Sequence, residues 1–173
     1  RMEALVRDLL LLAQLEGTQV KQRAPVILSE LFASLRQSFE PQAQQKQQVI
    51  HWQLTDDLSL DGVADELLSA FDNLLGNAIK YTPTGGEITV RAWRDEAGTQ
   101  VAFCDNGPGI EARHLPHLTE RFYRTDESRH SSTGGTGLGF AIVKHVLQRH
   151  GARLVIDSTP GEGSCFTCHF PAA

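Results

Sequence analysis

Apolar residues recur along this chain at spacings that divide it into helical and strand segments. Residues 1–16 carry Met2, Leu5, Leu9 and Leu12 at alternating spacings of three and four, the a/d pattern of a coiled-coil seam; Val6, Leu10 and Ala13 widen the stripe. An apolar face that wide on a short helix calls for partners, so a helical bundle is favoured over packing on the chain's own domain. Gly17 is expected to stop this helix, and residues 18–25 read as a linker. A second helix follows, with Leu28, Leu31, Phe32, Leu35 and Phe39 on one face and Ser29 as a candidate cap. Pro41 is expected to kink or break it. Ile50, Trp52 and Leu54 alternate with polar residues as a strand, and Leu58 to Leu60 suggests a short second one. Ala64 to Tyr81 is a strong helix, with Leu67, Phe71, Leu74, Leu75, Ala78 and Ile79 on its buried side. Ile88, Val90 and Ala92 and then Val101 and Phe103 form a hairpin turning near Glu96 to Gly98. Leu138, Ala141, Ile142, His145 and Val146 give a helix running to about His150, with His145 packed on the apolar side and Gly151 as the stop. Leu154 to Asp157 and Ser164 to Phe170 are the last two strands. The order predicts a two-layer α/β sandwich: a mixed, largely antiparallel sheet with helices on one face, plus the coiled-coil-like N-terminal helix.

Three polar features interrupt this pattern. On the helix from Ala64, Ser69, Asn73, Asn77 and Lys80 form a stripe at spacings of four, four and three. It is either a solvated face or a binding face. Asp105 ends a strand in phase with Val101 and Phe103, so its carboxylate points to the core side. A carboxylate there needs a partner, either a nucleobase amino group or backbone N–H groups of the glycine turn that follows. Finally, Asp105-Asn-Gly-Pro-Gly109 and Gly134-Gly-Thr-Gly-Leu-Gly139 bracket a polar segment of roughly two dozen residues. The second glycine run leads straight into a helix, whose N-terminal N–H groups suit phosphates. A long polar segment between two such ends reads as a cover over a nucleotide site.

Composition narrows the picture. Of 173 residues, 16 are Lys or Arg and 21 Asp or Glu, a net charge of −5 with no basic stripe, which argues against nucleic acid as a partner. The longest aliphatic run, Leu9 to Ala13, is far short of a membrane span, and the charged N-terminal helix is not a signal peptide. The chain begins with Arg1 and is expected to be cut from something longer. Its three cysteines, Cys104, Cys165 and Cys168, suit a reducing compartment. Cys165 and Cys168 have a metal or redox half-motif spacing, but on a strand they point to opposite faces, so ordinary packing is the better account.

Taken together, five boxes in order over residues 26–171 resemble the catalytic ATP-binding domain of sensor histidine kinases. Asn73 to Pro83 resembles the N box, and Asp105-x-Gly107-x-Gly109 the first glycine box. Glu120 to Arg124 resembles the F box, Gly135-Thr136-Gly137-Leu138-Gly139 the second glycine box, and Gly161-x-Gly163-Ser164-x-Phe166 the last. The run Leu118 to Arg124 is most similar to the phosphate-starvation branch of the family. The resemblance implies ATP and Mg²⁺ as ligands. It assigns the metal to Asn77, with Asn73 one turn earlier, phosphate charge to Lys80 and Arg124, and the adenine or ribose side to Tyr81, Asp105, Gly107 and Gly109. Gly135 to Gly139 would meet the phosphates, and Phe122 would anchor the cover to the core.

The same resemblance makes residues 1–17 part of the second dimerisation helix and 26–173 the catalytic domain. None of the seven histidines, His51, His114, His117, His130, His145, His150 and His169, lies in the family's phosphoacceptor motif. The expected acceptor is therefore a histidine of a dimerisation domain in a homodimeric parent, followed by a response regulator. The parent would be anchored in the inner membrane through other segments, with this part cytoplasmic. His114, His117 and His130 are expected on the surface. Related ATPases place a glutamate general base where this chain has Asn73, and an amide cannot take a proton from water, so hydrolysis is disfavoured. A serine kinase of the anti-sigma type and a nucleotide-binding module without catalysis are the alternatives.

Overall fold

The computed structural model describes residues 2–17, 22–55, 58–124 and 137–172. Helix α1 (Met2–Glu16) is followed by β1 (Ala24–Ile27), α2 (Leu28–Gln45), β2 (Val49–Leu54), β3 (Ser59–Gly62) and α3 (Ala64–Tyr81). Next come β4 (Glu87–Asp95), β5 (Gly98–Asp105) and a 3₁₀ segment (Ala112–His117). Helix α4 (Gly139–Arg149) and strands β6 (Arg153–Thr159) and β7 (Gly163–Pro171) complete the described chain. Five strands form the main sheet in the order β2-β4-β5-β7-β6, and β1 pairs separately with β3. Only β2 and β4 run parallel; the other neighbours are antiparallel. The two predicted hairpins are present, and β5 and β7 join them at the sheet centre.

Helices α2, α3 and α4 cover one face of this sheet. Val90, Val101, Phe103, Phe166 and Phe170 face them from the strands, while Phe71, Leu74, Ile142 and Val146 face back. Phe71 packs against Phe103 and Phe170, with ring centroids 5.6 and 6.4 Å apart. Burying such side chains contributes on the order of 1.5–3 kcal/mol each, the main drive for the two-layer arrangement.

Several local expectations fail for tertiary reasons. β1 takes Ala24 and Pro25 out of the expected linker, because it pairs with β3 and buries Val26. The strand runs straight into α2, and Leu28 N–H donates to Leu58 O, so Ser29 lies inside the first turn and does not cap it. Pro41 sits within α2 without ending it. Beyond it Ala43 is fully buried, Gln48 N–H donates to Ala43 O, and Lys46 Nζ reaches the carbonyls of Ile79, Lys80 and Thr82 at 2.8–3.2 Å. These contacts hold the last turn that proline alone would disfavour.

Helix α1 divides its apolar stripe. Leu12 and Leu15 are buried against the domain, while Val6, Leu9 and Leu10 remain exposed. Arg149 of α4 ties this region together, binding the buried Glu66 through Nε and Nη2 at 2.9 and 3.0 Å and Leu15 O through Nη1 at 3.3 Å. Glu16 pairs with Arg121, and His145 Nε2 lies 3.8 Å from Glu16. Cys168 is buried, whereas Cys104 and Cys165 face each other on the opposite side of the sheet, Cα atoms 4.0 Å apart, joined through their sulfurs.

Candidate nucleotide site

The polar stripe of α3 opens into a cleft of about 410 Å³, within the usual range for small-molecule sites. Asn73, Asn77, Lys80 and Tyr81 form one wall, which resolves the stripe as a cleft-lining face. Asn73 Nδ2 donates to Ser69 O at 2.8 Å. A Cβ built on Gly139 would lie 2.8 Å from Asn73 Oδ1 and 3.8 Å from Asn77 Nδ2, so the start of α4 packs beside both amides and a side chain there would displace that of Asn73. That helix start supplies N–H groups and a positive dipole end beside the two amides. Lys80 Nζ also lies over the Tyr81 ring, 5.4 Å from its centroid.

The end of β5 supplies a further part of the lining. Asp105 lines the cleft and accepts from Gly107 N–H at 2.9 Å. Burial raises its pKa above the ordinary carboxylate value, against backbone N–H groups of Gly107 and Ser164 that lower it. Of the two predicted partnerships, the backbone one is present, and the carboxylate also lines the cleft. Gly109 also lines the cleft. Gly107 is buried behind it, beside the Tyr81 carbonyl. The turn at Thr159 to Gly163 braces this loop from behind: Gly161 N–H donates to Pro108 O at 2.7 Å and Ile110 N–H to Ser158 Oγ at 2.7 Å.

The third side comes from the segment after the 3₁₀ turn. His114, Leu118, Tyr123 and Arg124 line the cleft, as do Gly137 and Phe140. Two expectations are corrected here. His114 is not on the surface but only 6% exposed, because its imidazole packs under Tyr123. Phe122 does not anchor this segment through its ring, which is 54% exposed; its backbone does so, donating from N–H to Gly137 O at 2.8 Å. Leu138 has its side chain in the core, fully buried, and serves α4 through its carbonyl, which accepts from Ile142 N–H. Gly135, Thr136 and His130 lie outside the described residues.

Sequence reasoning missed Lys46 and Gln48. Gln48 Nε2 donates to Ile79 O and Thr82 O at 2.9 and 2.8 Å, beside the three Lys46 bonds. Together they fix the end of α3 that presents Lys80 and Tyr81. Both sit in a glutamine-rich stretch without apolar period, so no local pattern marks them. Ala4 and Asp8 of α1 also reach the cleft, a contact between segments that periodicity does not reveal.

A family model described as histidine kinase-, DNA gyrase B-, and HSP90-like ATPase matches residues 62–173, which hold every cleft wall except that of α1. The chain belongs to this family. It is 52% identical over its whole length to the phosphate regulon sensor protein PhoR of Pseudomonas aeruginosa, covering 39% of that protein. It is 33% identical to the signal transduction histidine-protein kinase BaeS of Escherichia coli, over 90% of this chain and 33% of that protein. The chain thus spans well under half the length of these curated relatives. Among solved structures, full-length ShkA in complex with AMPPNP aligns over 98% of this chain and 36% of that one, with a TM-score of 0.82 at 27% identity. The mycobacterial sensor histidine kinase MprB aligns over 86% of this chain and 97% of that one, with a TM-score of 0.74 at 29% identity. These neighbours share the overall fold.

Proposed function

We propose that this chain binds Mg-ATP and directs transfer of the γ-phosphoryl group to a histidine of a dimerisation domain, as the catalytic part of a two-component sensor kinase in phosphate-starvation signalling. The observation that carries this reading is the set of polar groups that the cleft brings together. Asp105 supplies an acceptor, Asn73 and Asn77 lie beside the start of α4, and Lys80 lines the same cleft. An adenine amino group meets the acceptor, and phosphates meet the donors. The ShkA structure, which holds AMPPNP, supports an adenine nucleotide as the ligand.

Asp105 accepts from the adenine amino group and discriminates against guanine, which presents a carbonyl there. Tyr81 lies beside the base or ribose, where Gly107 and Gly109 keep the loop backbone close. Lys80, Gly137 and Gly139, with Gly135 and Thr136, offset phosphate charge. Among the described residues no cluster of three carboxylate, histidine or cysteine side chains could cage a metal. The donor set fits Mg²⁺ all the same, since that ion keeps waters and phosphate oxygens and needs only one or two protein oxygens, here that of Asn77, with Asn73 facing the same site. Bound there, Mg²⁺ neutralises charge on the phosphate oxygens.

In the transfer, the acceptor imidazole nitrogen forms a bond to the γ-phosphorus. The bond to the β,γ-bridging oxygen breaks, ADP leaves, and the ring gives up its other N–H proton to solvent. Arg124 stabilises charge on the equatorial oxygens. We read residues 1–17 as part of the dimerisation helix and 26–173 as the catalytic domain, with the homodimeric partner and a response regulator as protein partners. No described helix is long and apolar enough to cross a membrane; membrane anchoring of the parent belongs to other segments.

The test is to mix this chain with a histidine-bearing dimerisation domain and γ-labelled ATP. Acid-labile label on the acceptor is expected. ATP binding with no such label would overturn the kinase reading in favour of a binding module. An Asn77→Ala variant that bound Mg-ATP as well as the parent would remove the metal assignment.

A further inference from the structure

Arg124 emerges from a segment whose predecessor, Phe122, has a φ of 65°, a left-handed conformation that costs a bulky residue energy. Such a conformation persists only where its surroundings hold it. Two structures do so. The Phe122 N–H donates to Gly137 O at 2.8 Å, and a Cβ at Gly137, itself at φ 80°, would come within 2.8 Å of Phe122 Cα. On the other side stands a side-chain chain. His114 Nδ1 lies 2.5 Å from Tyr123 Oη, the Tyr123 ring stacks on His117 at 5.3 Å, and His117 Nδ1 lies 2.7 Å from Glu120 Oε2.

The family resemblance accounts for Arg124 but gives no part to His114. Yet His114 is a buried imidazole bonded to the residue next to Arg124, and both it and Tyr123 line the cleft. The Tyr123 hydroxyl is held by the buried His114 ring, and removing that partner leaves the half-buried Tyr123 without a fixed position. The left-handed Phe122 would then be free to relax, and Arg124 follows it in the chain.

We propose that His114 and Tyr123 are positioning residues for phosphoryl transfer: their hydrogen bond, with the Phe122–Gly137 backbone clasp, sets Arg124 at the phosphate end of the cleft. The inference rests on the phosphotransfer reading. It predicts that the pair acts on the rate through Arg124 and leaves ground-state nucleotide binding nearly unchanged.

Tyr123→Phe removes only the hydroxyl and keeps the ring stack. Transfer from labelled ATP to the added dimerisation domain should fall about tenfold in kcat, the scale of one lost hydrogen bond to the buried imidazole. The Kd for a fluorescent ATP analogue should stay within about twofold. In an Arg124→Ala background the same change should have no further effect, because residues acting through one group are not additive. His114→Gln, which keeps a hydrogen-bonding amide, should retain more activity than His114→Leu, with melting curves showing that each variant folds. A Tyr123→Phe rate equal to the parent's, or a full second loss on top of Arg124→Ala, would overturn this role while leaving the kinase reading intact. Absence of transfer by the parent chain itself would overturn both.

Discussion

Gly163 packs against the backbone carbonyl of Asp105, so closely that the position admits no side chain. Its φ of 135° and the overlap of a Cβ with Asp105 O both exclude larger residues. Asp105 and Ser164 are paired across β5 and β7, so the last turn supports the acidic wall of the cleft from behind. Gly163→Ala is expected to weaken ATP binding about tenfold or more, since strain of this kind costs roughly 1–3 kcal/mol. Gly161→Ala is the contrast: nothing lies within 4 Å of its Cβ position, so only the φ of 83° opposes it. Titration of both variants with a fluorescent nucleotide should rank Gly163→Ala well below Gly161→Ala.

Asp105 separates stability from binding. Its folded pKa is raised by burial, so its charged form is disfavoured by the fold and the associated cost is present at neutral pH. That cost is relieved as pH falls through the raised value. Asp105→Asn should therefore melt no lower than the parent at pH 7. It should still lose at least about tenfold in ATP affinity, because the acceptor facing the base is gone or misdirected. For the parent, affinity should begin to fall above the ordinary carboxylate range as pH is lowered. Calorimetric titration from pH 7 downward measures both effects, and a variant that bound ATP like the parent would contradict the assignment.

Lys46 works at a distance from the cleft. Its ammonium group caps three carbonyls at the end of α3, and burial lowers its pKa. Lys46→Met should destabilise the domain by about 2 kcal/mol, the scale of charge-assisted hydrogen bonds. It should also raise the Kd for ATP, since Lys80 and Tyr81 follow the carbonyl of Ile79. Chemical denaturation and nucleotide titration of one variant test the two together. An unchanged Kd would show that α3 holds its end without the clamp.

His150 makes the fold acid-sensitive. Its Nδ1 lies 2.7 Å from Val146 O, and its Nε2 accepts from Val63 N–H at 3.0 Å, so the neutral ring serves both. Burial is the largest influence lowering its pKa from 6.5, with Arg23, Arg149 and Glu66 nearby. The folded pKa is depressed, so its stabilising contribution is full above about pH 6.5 and is lost as pH falls toward the folded value. His145 shifts in the same direction, chiefly through burial. Melting temperature should drop between pH 7.5 and 5.5. His150→Gln, whose amide oxygen can still accept from Val63, should reduce that slope; an unchanged slope would assign it to other groups.

The sequence by itself determined the elements whose information is local. Leu67 to Ile79 set the buried face of α3, and Asn73, Asn77 and Lys80 fall on the other side because the helical period leaves them nowhere else. Alternation fixed both hairpins and the direction of Asp105, and the glycine runs marked where backbone comes close to a neighbour. Only the tertiary structure decided the rest. Proline's bias against helix at Pro41 yields to the burial of Ala43 and to the hydrogen bonds of Lys46. Ala24 and Pro25 become a strand only because β3 is there to pair with them. His114 is polar and looks exposed until Tyr123 folds over it, and Lys46 and Gln48 gain their role from the end of a helix more than thirty residues away. A local period states which face a residue takes. Which group will satisfy a buried donor or acceptor depends on segments distant in the chain, and only the folded arrangement brings those together.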